Sequence, residues 1–219
     1  MKYTKVTIGY WESRFFKALR LAHAGKFALM CAGASMLFES RPAHAQQLSP
    51  PSSVPNTSGF GSAVASSFSP AGTQIVVGAP HAASVNGAAE GGRAFVFSRN
   101  PDSTFSRAEV NPGPIAAGSR FGSTILLNNQ LLFVGAPGNA RVYVFRQDLT
   151  SLSWGVTAFF SASTTDSSDS LDYDPELGVL VACASGSCRF FSQQGTDNWM
   201  PVPGWGAVSA SRARFVTDG

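Results

Sequence analysis

The sequence predicts an all-β chain, a partial β-propeller of about three four-stranded blades. Three observations predict it. Short apolar runs bounded by Gly, Pro, Asn, Asp or Ser recur after residue 58. No stretch beyond residue 45 keeps a 3.6-residue apolar period over three turns. The runs also fall into a frame of four strands that repeats every ~45–60 residues, the arithmetic of a propeller blade.

Composition agrees. Of the 219 residues, 44% are hydrophobic and 13% charged, with 22 Gly and 13 Pro. That is too apolar for a disordered chain and too rich in Gly and Pro for a helical bundle. The net charge of +3 is concentrated at the start. Residues 1–45 hold 7 of the 16 Lys and Arg and 2 of the 13 Asp and Glu, leaving 9 Arg, no Lys and 11 acids. A body so balanced argues against nucleic acid or an acidic membrane surface as partner.

The elements follow in order. Residues 1–45 read as a signal peptide. Basic residues run from Lys2 to Lys26, an uncharged stretch follows from Phe27 to Phe38, and Ala43-His44-Ala45 supplies an A-x-A site. Cleavage is expected between Ala45 and Gln46. The stretch is too short for a membrane span, and none is expected in the mature chain. Residues 46–58, with Pro50, Pro51 and Pro55, read as a stiff Pro/Ser-rich linker. Removal of the signal leaves His81 as the one histidine, and Cys183 and Cys188 as the cysteines. The four residues between those cysteines suit a hairpin that would oppose them, so a disulfide is expected.

The repeat occupies 59–219. Phe60-Gly61-Ser62 leads to Ile75-Val76-Val77 and Gly78-Ala79-Pro80. Phe121-Gly122-Ser123 leads to Leu131-Leu132-Phe133-Val134 and Gly135-Ala136-Pro137. Ala94-Phe95-Val96-Phe97 and Val142-Tyr143-Val144-Phe145 follow, then Phe105 and Trp154. A worn third copy runs through Val179–Ala184, Arg189-Phe190-Phe191 and Trp199, and Arg214-Phe215 reads as a fourth start. The blades are placed at about 59–117, 118–164 and 165–212, with the fourth start at 213. An arc of three blades leaves a ring open, since propellers close with about four to eight. The expectation is therefore an incomplete propeller with apolar rows open at its ends: Ile75, Val77, Phe95 and Phe97 at one, Leu180, Phe190 and Phe191 at the other. Self-association through those faces would follow.

The Phe-Gly … Gly-Ala-Pro frame resembles the FG-GAP repeat of integrin α-chain propellers, in its exported bacterial form. The resemblance implies a β-propeller outside the cytoplasm, secreted, periplasmic or at the cell surface. It also implies a non-catalytic binding or adhesion module for a protein or glycan ligand.

Chemistry-bearing residues are sparse. Many members of that family carry an acidic calcium loop, but Ser69–Gln74 and Asn128–Gln130 lack its carboxylates. Asp172, Asp174 and Glu176 alternate in the third copy, but Pro175 interrupts them, and they read as an acidic, solvated turn. His81 lacks an accompanying nucleophile elbow, and Cys183, Cys188 and His81 lack a fourth zinc ligand. No catalytic residue, metal or cofactor is assigned. The alternative is a fragment of an exported hydrolase on a propeller scaffold, its acids drawn from Asp166–Glu176.

Overall fold

The computed structural model describes residues 47–69, 72–161, 170–184, 186–195, 197–210 and 212–216. The signal segment, its expected cleavage between Ala45 and Gln46, and Asp166 lie outside them.

The described chain is all-β and forms three antiparallel meanders in chain order. The first is β1 (Val64–Ser69), β2 (Gly72–Ala79), β3 (Arg93–Arg99) and β4 (Phe105–Glu109). The second is β5 (Thr124–Asn128), β6 (Leu131–Ala136), β7 (Arg141–Gln147) and β8 (Trp154–Ser161). The third is β9 (Ser170–Asp174), β10 (Val179–Ala184), β11 (Ser187–Gln194) and β12 (Asn198–Pro201). A two-residue strand, β13 (Val208–Ser209), pairs with β11 at Cys188 and Ser187. Neighbouring sheets meet along their inner strands, β1 with β5 and β5 with β9.

The middle sheet is covered on both faces, so its strands read as near-continuous apolar runs. All six residues of β6, Leu131–Ala136, are buried. Strand alternation then divides β7 between two seams. Tyr143 and Phe145 join Val76, Val96, Phe121 and Leu132 against the first sheet. Val142 and Val144 join Phe133, Phe160, Leu180, Phe191 and Trp199 against the third. Trp199 meets Phe133 edge-on at 5.3 Å, and Phe160 lies 4.2 Å from Phe191. Aromatic pairs of this kind add about 0.5–1.5 kcal/mol each beyond area burial. Leu180 and Phe191 therefore belong to an inter-blade seam, not to an open end. They are register partners and so point the same way, while Phe190 pairs with Val181 on the opposite face.

The apolar rows expected to lie open are covered by the chain's own flanking segments. On the first sheet, Leu48, Val54 and Phe60 pack over Val77, Phe95 and Phe97. Arg107 donates to the Ser49 carbonyl at 3.1 Å, and Arg93 to Ser53 Oγ at 3.2 Å. Arg93 also forms a two-pronged ion pair with Glu109, whose hydrogen bonds hold the guanidinium above its ordinary pKa. The Pro-rich segment thus serves as a strap, with a 3-10 turn at Asn56–Ser58. On the third sheet, Ala210, Ala213 and Phe215 pack over Val181, Cys183, Cys188 and Phe190. The fourth start is seated there without forming a strand.

Cys183 and Cys188 are directly opposed across β10 and β11 and form a disulfide. Such a bond belongs to an oxidising, extracytoplasmic setting.

Two outcomes are expected. Val54→Asp, which places a charge under the strap, should lower unfolding free energy by at least about 2 kcal/mol and raise hydrophobic-dye binding. Reduction of Cys183–Cys188 should cost about 2 kcal/mol by denaturant titration, because the closed loop is short.

Candidate functional site

The repeat frame has a physical meaning at one end of the blades. Gly61 N–H donates to the Gly78 carbonyl at 2.9 Å, and Gly122 N–H to the Gly135 carbonyl at 3.0 Å. Each Phe-Gly thus closes onto the Gly-Ala-Pro of its own blade. Across the seam, a Cβ on Gly78 would lie 2.0 Å from the Gly122 carbonyl oxygen, a distance no side chain could tolerate. The turn that follows repeats as well. His81 N–H donates to the Ser58 carbonyl at 2.8 Å, and Gly138 N–H to the Ser119 carbonyl at 3.0 Å. His81 and Gly138 therefore occupy equivalent positions, as do Gly59 and Arg120.

The close approach draws the β2–β3 loop against the crossover into the second blade. Gly118, Arg120 and Phe121 donate their N–H groups to the carbonyls of Ala89, Glu90 and Gly91 at 2.9, 3.0 and 2.9 Å. Gly92 and Phe121 form a parallel bridge. These ties place three ionisable side chains together. Glu90 Oε1 lies 4.0 Å from His81 Nδ1, and Glu90 Oε2 lies 3.8 Å from Arg120 Nε. All three are about half exposed. The cluster combines a base, a carboxylate that can orient it and a cation suited to an oxyanion.

Glu90 and Arg120 both hold the left-handed backbone conformation, at φ 48° and 55°. Outside glycine, and to a lesser degree Asn and Asp, this costs about 1 kcal/mol or more. The equivalent of Arg120 in the first blade is Gly59, at φ 70°. Arginine therefore stands where the backbone favours glycine. Ser103, Asn129, Ala140 and Leu152 hold the same conformation in turns or loops, so it is the meeting of Glu90 and Arg120 with His81, and not the backbone alone, that marks the place.

Other residues singled out by sequence are used structurally. Asp172 Oδ2 accepts the Phe215 N–H at 2.6 Å and so anchors the segment over the third sheet. Asp174 Oδ1 accepts the N–H groups of Glu176 and Leu177 at 2.8 and 3.1 Å, closing a turn. Among the described residues no three His, Cys, Asp or Glu side chains gather as a metal site. Cys183 and Cys188 are joined to each other, so among the described residues no thiol remains to accompany His81. Sequence reasoning noted His81 and missed Glu90 and Arg120. The signal was present in the alignment of Ser58-Gly59-Phe60-Gly61 with Ser119-Arg120-Phe121-Gly122.

The fold has relatives among solved structures. The periplasmic gluconolactonase of Pseudomonas aeruginosa aligns with a TM-score of 0.55 at 15% identity, over 72% of this chain and 41% of that one. A protein from Bacteroides fragilis assigned to the 6-phosphogluconolactonases aligns with a TM-score of 0.53 at 13% identity, over 71% and 40%. The chain spans about two fifths of the length of these structures. No protein-family model and no curated protein matches it.

These findings correct the FG-GAP assignment. The frame that carried it is the hydrogen-bonded and steric solution for stacking these blades, and the solved structures that share the fold are named as gluconolactonases and not as FG-GAP proteins. The integrin-like, non-catalytic adhesion reading falls with it, since the propellers matched are named as lactonases.

Replacing Arg120 or Glu90 by Gly should leave unfolding free energy unchanged or raise it by up to about 1 kcal/mol, because glycine relieves the backbone. Urea titration of the two variants checks this. A clear loss in both would show that the side chains serve the fold.

Proposed function

We propose that the chain is part of an exported hydrolase of cyclic esters, secreted or periplasmic, with His81, Glu90 and Arg120 in its reaction centre. The observation that carries this reading is the His81–Glu90–Arg120 cluster on two left-handed non-glycine residues. The likeness in fold to propellers named as lactonases supports it.

The chemistry is a hydrolysis. Neutral His81 takes a proton from water through Nε2 as the oxygen attacks the lactone carbonyl carbon. Glu90, facing Nδ1, holds the ring and stabilises the imidazolium that forms. Arg120 donates to the carbonyl oxygen as it gains charge. The ring C–O bond then breaks, and the leaving alkoxide recovers the proton from His81. The product is a hydroxy acid whose carboxylate suits the guanidinium of Arg120. At 4.0 and 3.8 Å the two separations exceed a hydrogen bond, and catalytic contacts often tighten when substrate binds.

The test is acid release from glucono-1,5-lactone by the full chain, read against spontaneous hydrolysis. Acceleration is expected, with a loss of about 10²-fold or more in His81→Ala. Arg120→Gly should lose activity while keeping its stability. No acceleration over background, or full activity in His81→Ala, would contradict the reading.

A further inference from the structure

The turns that open the first two blades are one turn built twice, and they differ at two positions. Ser62 Oγ donates to the Gly59 carbonyl at 2.5 Å, and Ser123 Oγ to the Arg120 carbonyl at 2.8 Å. The N–H groups of the same serines close onto the same carbonyls at 2.9 and 3.2 Å. In the second blade a side chain stands at position 120 and a glycine at position 138. In the first blade the order is reversed, with a glycine at 59 and a histidine at 81. The backbone does not compel glycine at 59. Its φ is 70°, and Arg120 holds 55° with a full side chain.

The absence of a side chain at Gly59 lets the Ser62 hydroxyl and the His81 ring border one notch. A Cβ there would lie 2.8 Å from Ser62 Oγ, 3.1 Å from His81 Cδ2 and 3.5 Å from Pro80 Cδ. Cδ2 is bonded to Nε2, the nitrogen that takes the proton in the hydrolysis, while Nδ1 faces Glu90. Ser62 and His81 are both exposed, so water reaches the notch. A serine hydroxyl carries one hydrogen and two lone pairs. The hydrogen of Ser62 is held by the Gly59 carbonyl, so towards the notch this hydroxyl accepts.

We propose that Ser62 holds the attacking water, against the bare Cα of Gly59. The proposal rests on the reading of the chain as a hydrolase. The water donates one O–H to His81 Nε2 and the other to Ser62 Oγ. Both hydrogens are then fixed, and a lone pair is left for the lactone carbonyl carbon. As the new C–O bond forms, the first proton passes to Nε2 and the second stays on the oxygen that becomes part of the carboxyl group. Ser62 forms no covalent bond. Holding the nucleophile in one orientation lowers the entropic part of the barrier. Gly59 completes the arrangement, since a side chain there would take the water's place.

The test is steady-state hydrolysis of glucono-1,5-lactone by the full chain, with kcat and KM resolved. Ser62→Ala should lower kcat about tenfold at unchanged KM, the mark of a contact that acts in the transition state. Gly59→Ala, which fills the notch, should lower kcat by a similar factor or more. Ser123→Ala removes the same turn bond from the second blade, and Ser62→Ala should lose no more unfolding free energy than it does. Should either Ser62→Ala or Gly59→Ala fail to fold, the other decides alone. Full kcat in the folded variants, with His81→Ala inactive, would overturn this proposal and leave the hydrolase reading standing. So would a raised KM at unchanged kcat, which would make Ser62 a substrate contact. An acyl group found on Ser62 by mass spectrometry of quenched enzyme would overturn it as well, because serine would then be the nucleophile. A wild-type chain without activity would overturn both readings together.

Discussion

The structure depends on one contact without side chains. Gly78, at the end of β2, lies so close to the Gly122 carbonyl that a single methyl group would separate the blades. This approach lets the two sheets close over Phe121, which is fully buried and meets Tyr143 edge-on at 5.4 Å. With the sheets together, the loop that bears Glu90 reaches the crossover that bears Arg120, and three backbone hydrogen bonds tie the two. Packing and site therefore share a cause. The glycines that permit the seam also set the distances among His81, Glu90 and Arg120.

Much of the scaffold is legible in the sequence, for physical reasons. Middle-sheet strands buried on both faces must be continuous apolar runs, and Leu131–Ala136 and Val142–Phe145 are. Phe105, Trp154 and Trp199 mark the fourth strands because a large ring there fills the outer part of each blade. Periodicity cannot say which face of β10 turns inward, because Leu180 and Val181 are both apolar and only the packing sends Leu180 into the seam. Nor does composition show what covers an end. Leu48 and Val54 are isolated apolar residues in a polar, Pro-rich stretch, too few to register as a strand, yet they bury Phe95 and Phe97.

The site was less legible than the scaffold, because its residues come from two blades. His81 stands alone in the sequence, and its partners lie 9 and 39 positions further on. What joins them is backbone pairing between segments 89–91 and 118–121, which no local pattern encodes. The FG-GAP resemblance was misleading for a related reason. A Phe that fills a seam and glycines that let strands approach answer a demand of blade stacking, and that demand is indifferent to function. The alternating acids Asp172 and Asp174 are engaged in holding Phe215 and closing a turn. By contrast, the backbone of Glu90 and Arg120 ties the two blades, while their half-exposed side chains meet beside His81, which is why these side chains carry the functional reading.

The most direct test of this account is the unfolding free energy of Gly78→Ala measured beside that of Gly206→Ala. A Cβ at Gly206 meets nothing within 4 Å, whereas one at Gly78 meets the Gly122 carbonyl at 2.0 Å. The account predicts a loss of about 3 kcal/mol at Gly78 and a change within about 0.5 kcal/mol at Gly206. Equal, small effects at both positions would contradict it, because the blades would then not depend on that approach.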